Sequence, residues 1–377
     1  MQAQQFAWTS SAGWDLPVCV SAPTFVLAFG APAPLERADV WASLRERVGS
    51  APVLTCSTAG EIAGTQVREG GVVAIAVWLE RSRARGLAVE VAGPEASAEA
   101  AKAIGRELLA PDLAAVLVFS EGLAVNGSEL VRGLGAVLPP HVVVSGGLAG
   151  DGSDFGRTLV GWDAPPRPRT IAALGLYGEA IEIGTGSIGG WDPFGAGRSV
   201  TRSSGNVLYT LDHEPALALY KKYLGEHAAA LPASALRFPL LLTPAPGEPS
   251  VVRTILNVDE ASSAMIFAGD IPEGSRVRLM KTNLDRLVDG AADAAARARL
   301  EPSPSASLAI LVSCVGRKLV LRQRVEEEVE AVAEALGAGT SIVGFYSYGE
   351  ISPAEPGQRC ALHNQTMSVT VLRERAA

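Results

Sequence analysis

Three carboxylates stand in nearly the same local setting in this chain. Val53-Leu54-Thr55-Cys56-Ser57-Thr58-Ala59-Gly60-Glu61, Val142-Val143-Val144-Ser145-Gly146-Gly147-Leu148-Ala149-Gly150-Asp151 and Ile342-Val343-Gly344-Phe345-Tyr346-Ser347-Tyr348-Gly349-Glu350 each pass from an apolar run through small residues to a glycine and an acid. A carboxylate at a strand end, beside hydroxyls and backbone amides, can hold a cationic or amino group, and such ends are where α/β proteins build ligand pockets. Two acids facing a sugar bond could also support hydrolysis, with Glu61 and Glu350 as the pair. Cys56 and Cys314 lie at or near strand ends, with His363 as a candidate base. A nucleophile needs that base beside it and donors for the developing oxyanion. The parts are in the sequence without their juxtaposition, and a buried cysteine is most often a small hydrophobe. The pattern points to binding ahead of catalysis.

His363 opens His363-Asn364-Gln365-Thr366, a bunch of hydrogen-bonding side chains before an apolar strand. Such groups either satisfy one another or line a pocket. A neutral imidazole there could serve as an axial haem ligand, although a lone histidine is more often structural. Gly146-Gly147-Leu148-Ala149-Gly150-Asp151-Gly152 invites a nucleotide reading that its context does not support. A dinucleotide loop opens a helix, whereas Ser153-Asp154-Phe155-Gly156-Arg157 has no helical pattern. These glycines read instead as tight turning and close approach of backbone to a ligand.

The elements that must position these groups repeat. Phe25 to Phe29, a helix with Val40, Leu44 and Val48 on one face, and a strand ending at Gly60-Glu61 form one unit. Val116 to Phe119, a helix with Leu130, Leu134 and Val137, and Gly150-Asp151 form the second. Leu308 to Val312, a helix with Val325, Val329, Val332 and Leu336, and Gly349-Glu350 form the third. Strand-helix-strand order predicts parallel crossovers, and the strands after each Gly-acid turn follow loops, which favours antiparallel addition. The expectation is an α/β fold of mixed sheets with internal pseudo-symmetry. Different material separates the second and third units: the turn-rich Gly189-Gly190-Trp191-Asp192-Pro193-Phe194-Gly195, a helix capped by Asp212 with Gly225 beyond its end, an exposed loop at 244–249, and a helix opening near Asn283. Two domains, 1–200 and 201–377, follow from a length of 377 residues and a boundary near residue 200.

Composition narrows the function. The chain is 48% hydrophobic and 19% charged, with net charge −8, and its basic residues form no long stripe. That argues against nucleic-acid partners, which need many phosphate contacts. The opening residues show no secretion signal, and no apolar run approaches the roughly 20 residues that span a bilayer, so no membrane association and a cytoplasmic location are expected. The four cysteines are far apart in sequence, which argues against a zinc site or a disulfide framework.

At Cys56-Ser57-Thr58-Ala59-Gly60-Glu61-Ile62, Gly146 to Gly152, Gly189 to Gly195, Ser203-Ser204-Gly205-Asn206-Val207-Leu208-Tyr209, Gly344 to Ile351 and Leu362-His363-Asn364-Gln365-Thr366, the chain resembles the FIST family. Members are bacterial sensory modules with an N-terminal and a C-terminal FIST domain. The resemblance implies a signal-input protein, with amino acids or related metabolites as ligands. It carries Ser57, Thr58, Glu61, Asp151, Trp191, Asp192, Tyr348, Glu350, His363 and Asn364 into the candidate ligand site, to which Gly60, Gly147 and Gly349 are added as the small residues of the turns. It also implies an alternative, a haem-based nitric oxide sensor with His363 as axial ligand. Since no transmitter segment is recognisable in the sequence, the implied partner is a histidine kinase or cyclic-dinucleotide enzyme acting in trans.

Overall fold

The computed structural model describes residues 1–15, 18–244, 250–303, 305–353, 355 and 357–375. The loop expected at 244–249 lies, apart from Pro244, outside the described residues.

Each of the three units forms as its pattern predicts. In the first, Phe25–Gly30 and Val53–Ser57 are buried along their whole length, and Val40, Leu44 and Val48 are the buried stripe of the helix Ala38–Val48. The two strands pair in parallel, and Val72–Trp78 adds antiparallel on the other side of Phe25–Gly30. The second unit repeats this order with Val143–Leu148, Leu113–Ser120 and Thr170–Tyr177. The third repeats it with Thr340–Ser347, Ser307–Cys314 and Met367–Glu374. The sheets are mixed, and the repetition is threefold in topology.

The Gly-acid turns are where the chain leaves one sheet and joins another. Glu61–Ala63 of the first unit pairs with Thr340–Ser347 of the third. Val160–Trp162, which follows the second turn, pairs with Val53–Ser57 of the first. Gly349–Pro353 of the third unit pairs with Val143–Leu148 of the second. Backbone hydrogen bonds close the same circle. Ala59 N–H donates to the Tyr346 carbonyl at 2.8 Å, Gly150 N–H to Ser57 at 2.9 Å and Tyr348 N–H to Leu148 at 3.1 Å. Beneath the ring of turns, Phe29, Phe119 and Phe345 meet with ring centroids 4.9–5.6 Å apart, and Cys56 is buried in the same core. Gly146 shows how tight the packing is: its φ is +150°, and a Cβ would stand 1.8 Å from the Val118 carbonyl oxygen.

The material between the second and third units builds an eight-stranded sheet of its own, whose core includes Leu208, Leu217, Met265 and Phe267. The turn-rich segment is not a turn throughout. Asp192–Ser204 is one long strand with register shifts between Phe194 and Ser203, and Gly195 takes φ +71° within it. Residue 200 falls inside this strand. The helix Ala216–Leu224 starts at Pro215, so Asp212 does not cap it. Asp212 instead accepts from Ser199 N–H and pairs with Arg198 in a hairpin, whereas Gly225 ends the helix as expected, at φ +57°. Asn283 does cap its helix, Leu284–Ala298, accepting from Arg286 N–H. No helix among the described residues is long and apolar enough to cross a membrane.

Candidate functional site

The cyclic exchange of strands brings the first two Gly-acid turns together at a cavity of about 560 Å³. Thr58, Gly60, Glu61 and Asp151 all line it, joined by Lys318 from the helix Val315–Leu321 of the third unit. Its charged lining comprises five carboxylates (Glu36, Glu61, Glu69, Asp151 and Asp154) against two bases, Arg157 and Lys318. Both bases are already engaged. Arg157 pairs with Glu36, and Lys318 pairs with Glu69 at 2.5 Å while donating to the Ala59 carbonyl at 2.6 Å. The cavity is therefore an electronegative bowl with its cations committed.

Of the five acids, Asp154 is exposed and Glu61 is the buried one left to act. It is 1% exposed, and Thr58 Oγ1 donates to Oε1 at 2.5 Å, but Oε2 has no hydrogen-bond partner among the described residues. Burial is the main reason its carboxyl is raised to about 7, outweighing the Thr58 hydrogen bond, the nearby Gly71 backbone N–H and the Lys318 charge that favour ionisation. Asp151 does a different job. Its carboxylate accepts Phe155 N–H at 3.0 Å, Gly156 N–H at 2.8 Å, Arg157 N–H at 2.6 Å and the Tyr348 hydroxyl. It shapes the loop that walls the cavity, and the Phe155 ring stacks on Tyr348 at 4.5 Å.

Glu350 does not line this cavity. It is fully buried and accepts from Ser347 Oγ at 2.8 Å, Thr366 N–H at 3.1 Å and Thr366 Oγ1 at 2.8 Å. Burial raises its carboxyl to about 8. The three turns thus share one ring of backbone while the third acid points to a separate polar cluster. Ser57 is a clasp within the ring, its hydroxyl donating to Gly150 and accepting from Leu159 N–H, both at 2.8 Å. Gly147 and Gly349 pair with Glu350 and Leu148 in the strand ladder. Trp191 is buried with Met280, Leu287 and Leu321 and donates to the Gln365 carbonyl, and Asp192 is exposed in an ion pair with Arg286. Neither lies at the cavity. Asn364 is fully buried with both amide atoms unpartnered among the described residues.

His363 ends the strand Cys360–His363, with its Nε2 3.0 Å from the Ser352 carbonyl. The residue is 5% exposed, and burial depresses the imidazole to about 4, so it is neutral at physiological pH. With one ring nitrogen held by a carbonyl and the residue buried, His363 does not fit an axial haem ligand. Among the described residues no cluster of three or more histidine, cysteine or acidic side chains is arranged to hold a metal. The cysteines do not form a nucleophilic site either. Cys56 is fully buried and among the described residues donates only to the Ser57 carbonyl at 3.4 Å, and burial holds both its thiol and that of Cys314 far above the usual range.

Lys318, Glu36 and Glu69 were not among the sequence candidates. The available signal was positional: Lys318 follows a strand end, at Cys314, of the same kind that Gly30 makes in the first unit. A buried network has no local signal in the sequence. Arg317 and Glu328 form a fully buried ion pair at 2.8 Å, and Tyr346 and Ser313 hydroxyls donate to the same carboxylate.

Residues 24–214 match the FIST N domain and residues 216–353 match the FIST C domain. The chain belongs to the FIST family. FIST domains are small-ligand sensing domains of signal-transduction proteins, sensory in role and not catalytic. No curated protein matches the chain. Among solved structures it is similar to a cyanuric acid hydrolase from A. caulinodans, at 12% identity over 78% of this chain and 100% of that one, with a TM-score of 0.18. At that score the likeness carries no weight for fold or function.

Proposed function

We propose that this FIST protein is a cytoplasmic signal-input module that binds an amine-bearing metabolite, an amino acid or a relative, in the cavity beside Glu61. The observation that carries the reading is the unpartnered, buried Oε2 of Glu61 in a bowl of five carboxylates whose two bases are already paired. A buried acceptor without a partner costs free energy, and an ammonium group relieves that cost with a charge-assisted hydrogen bond. Arrival of the cation favours the ionised acid, so binding would expel a proton from Glu61 at pH values below its pKa. No cofactor enters this scheme.

Relay would run through the ring of turns. The bowl draws its walls from all three units, so a ligand there favours one packing of the units over another, and a population shift needs only that difference. The partner acting in trans would be a histidine kinase or cyclic-dinucleotide enzyme that reads this packing. Thermal-shift measurements with lysine, cadaverine and glutarate, a dicarboxylate without an amine, test the binding step. The amines should raise the melting temperature and glutarate should not, because a ligand bound only to the native state stabilises it. Flat curves for both amines, or equal shifts in Glu61→Gln, would refute the reading.

A further inference from the structure

A second cleft has the opposite electrostatic character. It lies where the inserted sheet meets the second unit, with a volume of about 660 Å³, and Arg132, Arg253 and Arg359 line it with no carboxylate among the described lining residues. In a chain of net charge −8, three guanidinium groups facing one space are unexpected. Arg253 is the informative one. It is 6% exposed, yet among the described residues it forms no salt bridge, and its hydrogen bonds go to backbone carbonyls: Nε to Asp270 at 3.2 Å, Nη1 to Val252 at 3.4 Å and to Leu362 at 2.9 Å. Nη2 has no hydrogen-bond partner among the described residues. Asp270 is near enough to favour its charge, but burial prevails and lowers its pKa to about 10. Buried guanidinium groups are ordinarily paired with an anion, and this one is not.

Arg359, from the hairpin that leads to His363, is exposed and among the described residues donates only to the Gly135 carbonyl, at 2.8 Å. Arg132 is partly neutralised by Glu129 of its own helix. Val131, Val251 and Leu362 supply apolar wall between these heads. The volume falls in the range of small-molecule pockets, and an arginine fork suits a planar carboxylate or a phosphate.

We propose that this cleft binds a small organic anion, a carboxylate or phosphate head on an apolar body, anchored by Arg253 and Arg359. The site is independent of the amine cavity: it draws on different residues and on ligands of opposite charge. Because Arg253 bridges the inserted sheet to the Leu362 carbonyl of the core, an anion there would strengthen the junction between the two. The FIST protein would then carry two inputs.

Isothermal titration of the full chain at low salt with phenyl phosphate, benzoate and benzyl alcohol tests this. At least one of the two anions should bind saturably with a Kd below about 1 mM, and benzyl alcohol should give no saturable heat. Tighter binding of phenyl phosphate would mark a phosphate ligand, and tighter binding of benzoate a carboxylate. Arg359→Ala, on an exposed hairpin, should fold and melt like the parent yet bind about tenfold or more weakly, the expected loss for a hydrogen bond to a charged group. Arg253→Gln should abolish binding if it folds; if it does not, Arg359→Ala decides. Absence of binding by both anions, or equal affinity in Arg359→Ala, would overturn the proposal.

Discussion

Replacing Glu61 by glutamine separates the cost of its burial from everything else in the fold. The carboxyl rises from 4.5 to about 7 on folding. The folded state therefore holds a proton that the unfolded chain releases, and stability contributed by the protonated acid is complete below about pH 4.5 and lost as pH rises through about 7. At 1.36 kcal/mol for each tenfold change in proton affinity, the rise from 4.5 to about 7 corresponds to about 3 kcal/mol. No large discount for solvent screening applies, because the side chain is almost wholly buried. Glutamine keeps the shape and an acceptor for the Thr58 hydroxyl but cannot ionise, so Glu61→Gln should approach the parent below about pH 4.5 and exceed it increasingly up to pH 8. With an unfolding entropy of about 2.1 cal/mol/K per residue, the gain is about 4 °C in melting temperature. Glu350 also titrates in this range, but it is common to both proteins and cancels in the difference. Melting curves at four pH values from 5.5 to 8.5 read the effect. Parallel pH profiles for variant and parent would refute the claim that Glu61 is held protonated by its setting.

Three further outcomes are expected. Asp151→Ala removes the acceptor shared by three backbone amides and the Tyr348 hydroxyl, so hydrogen exchange at residues 152–157 should accelerate while the core strands stay protected. Gly146→Ala drives a Cβ into the Val118 carbonyl at a backbone angle hostile to side chains, and should cost upwards of about 3 kcal/mol, seen as loss of soluble protein or a large fall in melting temperature. A thiol reagent at pH 8 should modify the half-buried Cys19 ahead of Cys360, whose thiol burial pushes up to about 12, and ahead of the buried Cys56 and Cys314, which should react only after denaturation.

The units were legible because their signals are local. Val40, Leu44 and Val48 declare a helix stripe, and Phe25 to Phe29 a buried strand, before any tertiary context is known. The cyclic exchange was not legible, since nothing near Glu61 says that its strand will pair with residues 343–345. That pairing arises from packing three similar units about one axis. For the same reason the three acids looked equivalent. Asp151 differs because Phe155, Gly156 and Arg157 fold back onto it, and Glu350 because Thr366 reaches it from the connection before Met367–Glu374. The Asp212 cap failed through competition: a turn with φ +49° at that residue satisfied its carboxylate within the hairpin first.

Proton release on ligand binding tests the central claim most directly. Near pH 6.5 a carboxyl with a pKa of about 7 is roughly three-quarters protonated. Titration of the protein with an amine in buffers of different ionisation enthalpy should therefore show release of somewhat under one proton per ligand. The release should vanish at pH 8.5 and in Glu61→Gln. An amine that binds with no proton release at pH 6.5, or with the same release in Glu61→Gln, would contradict the account.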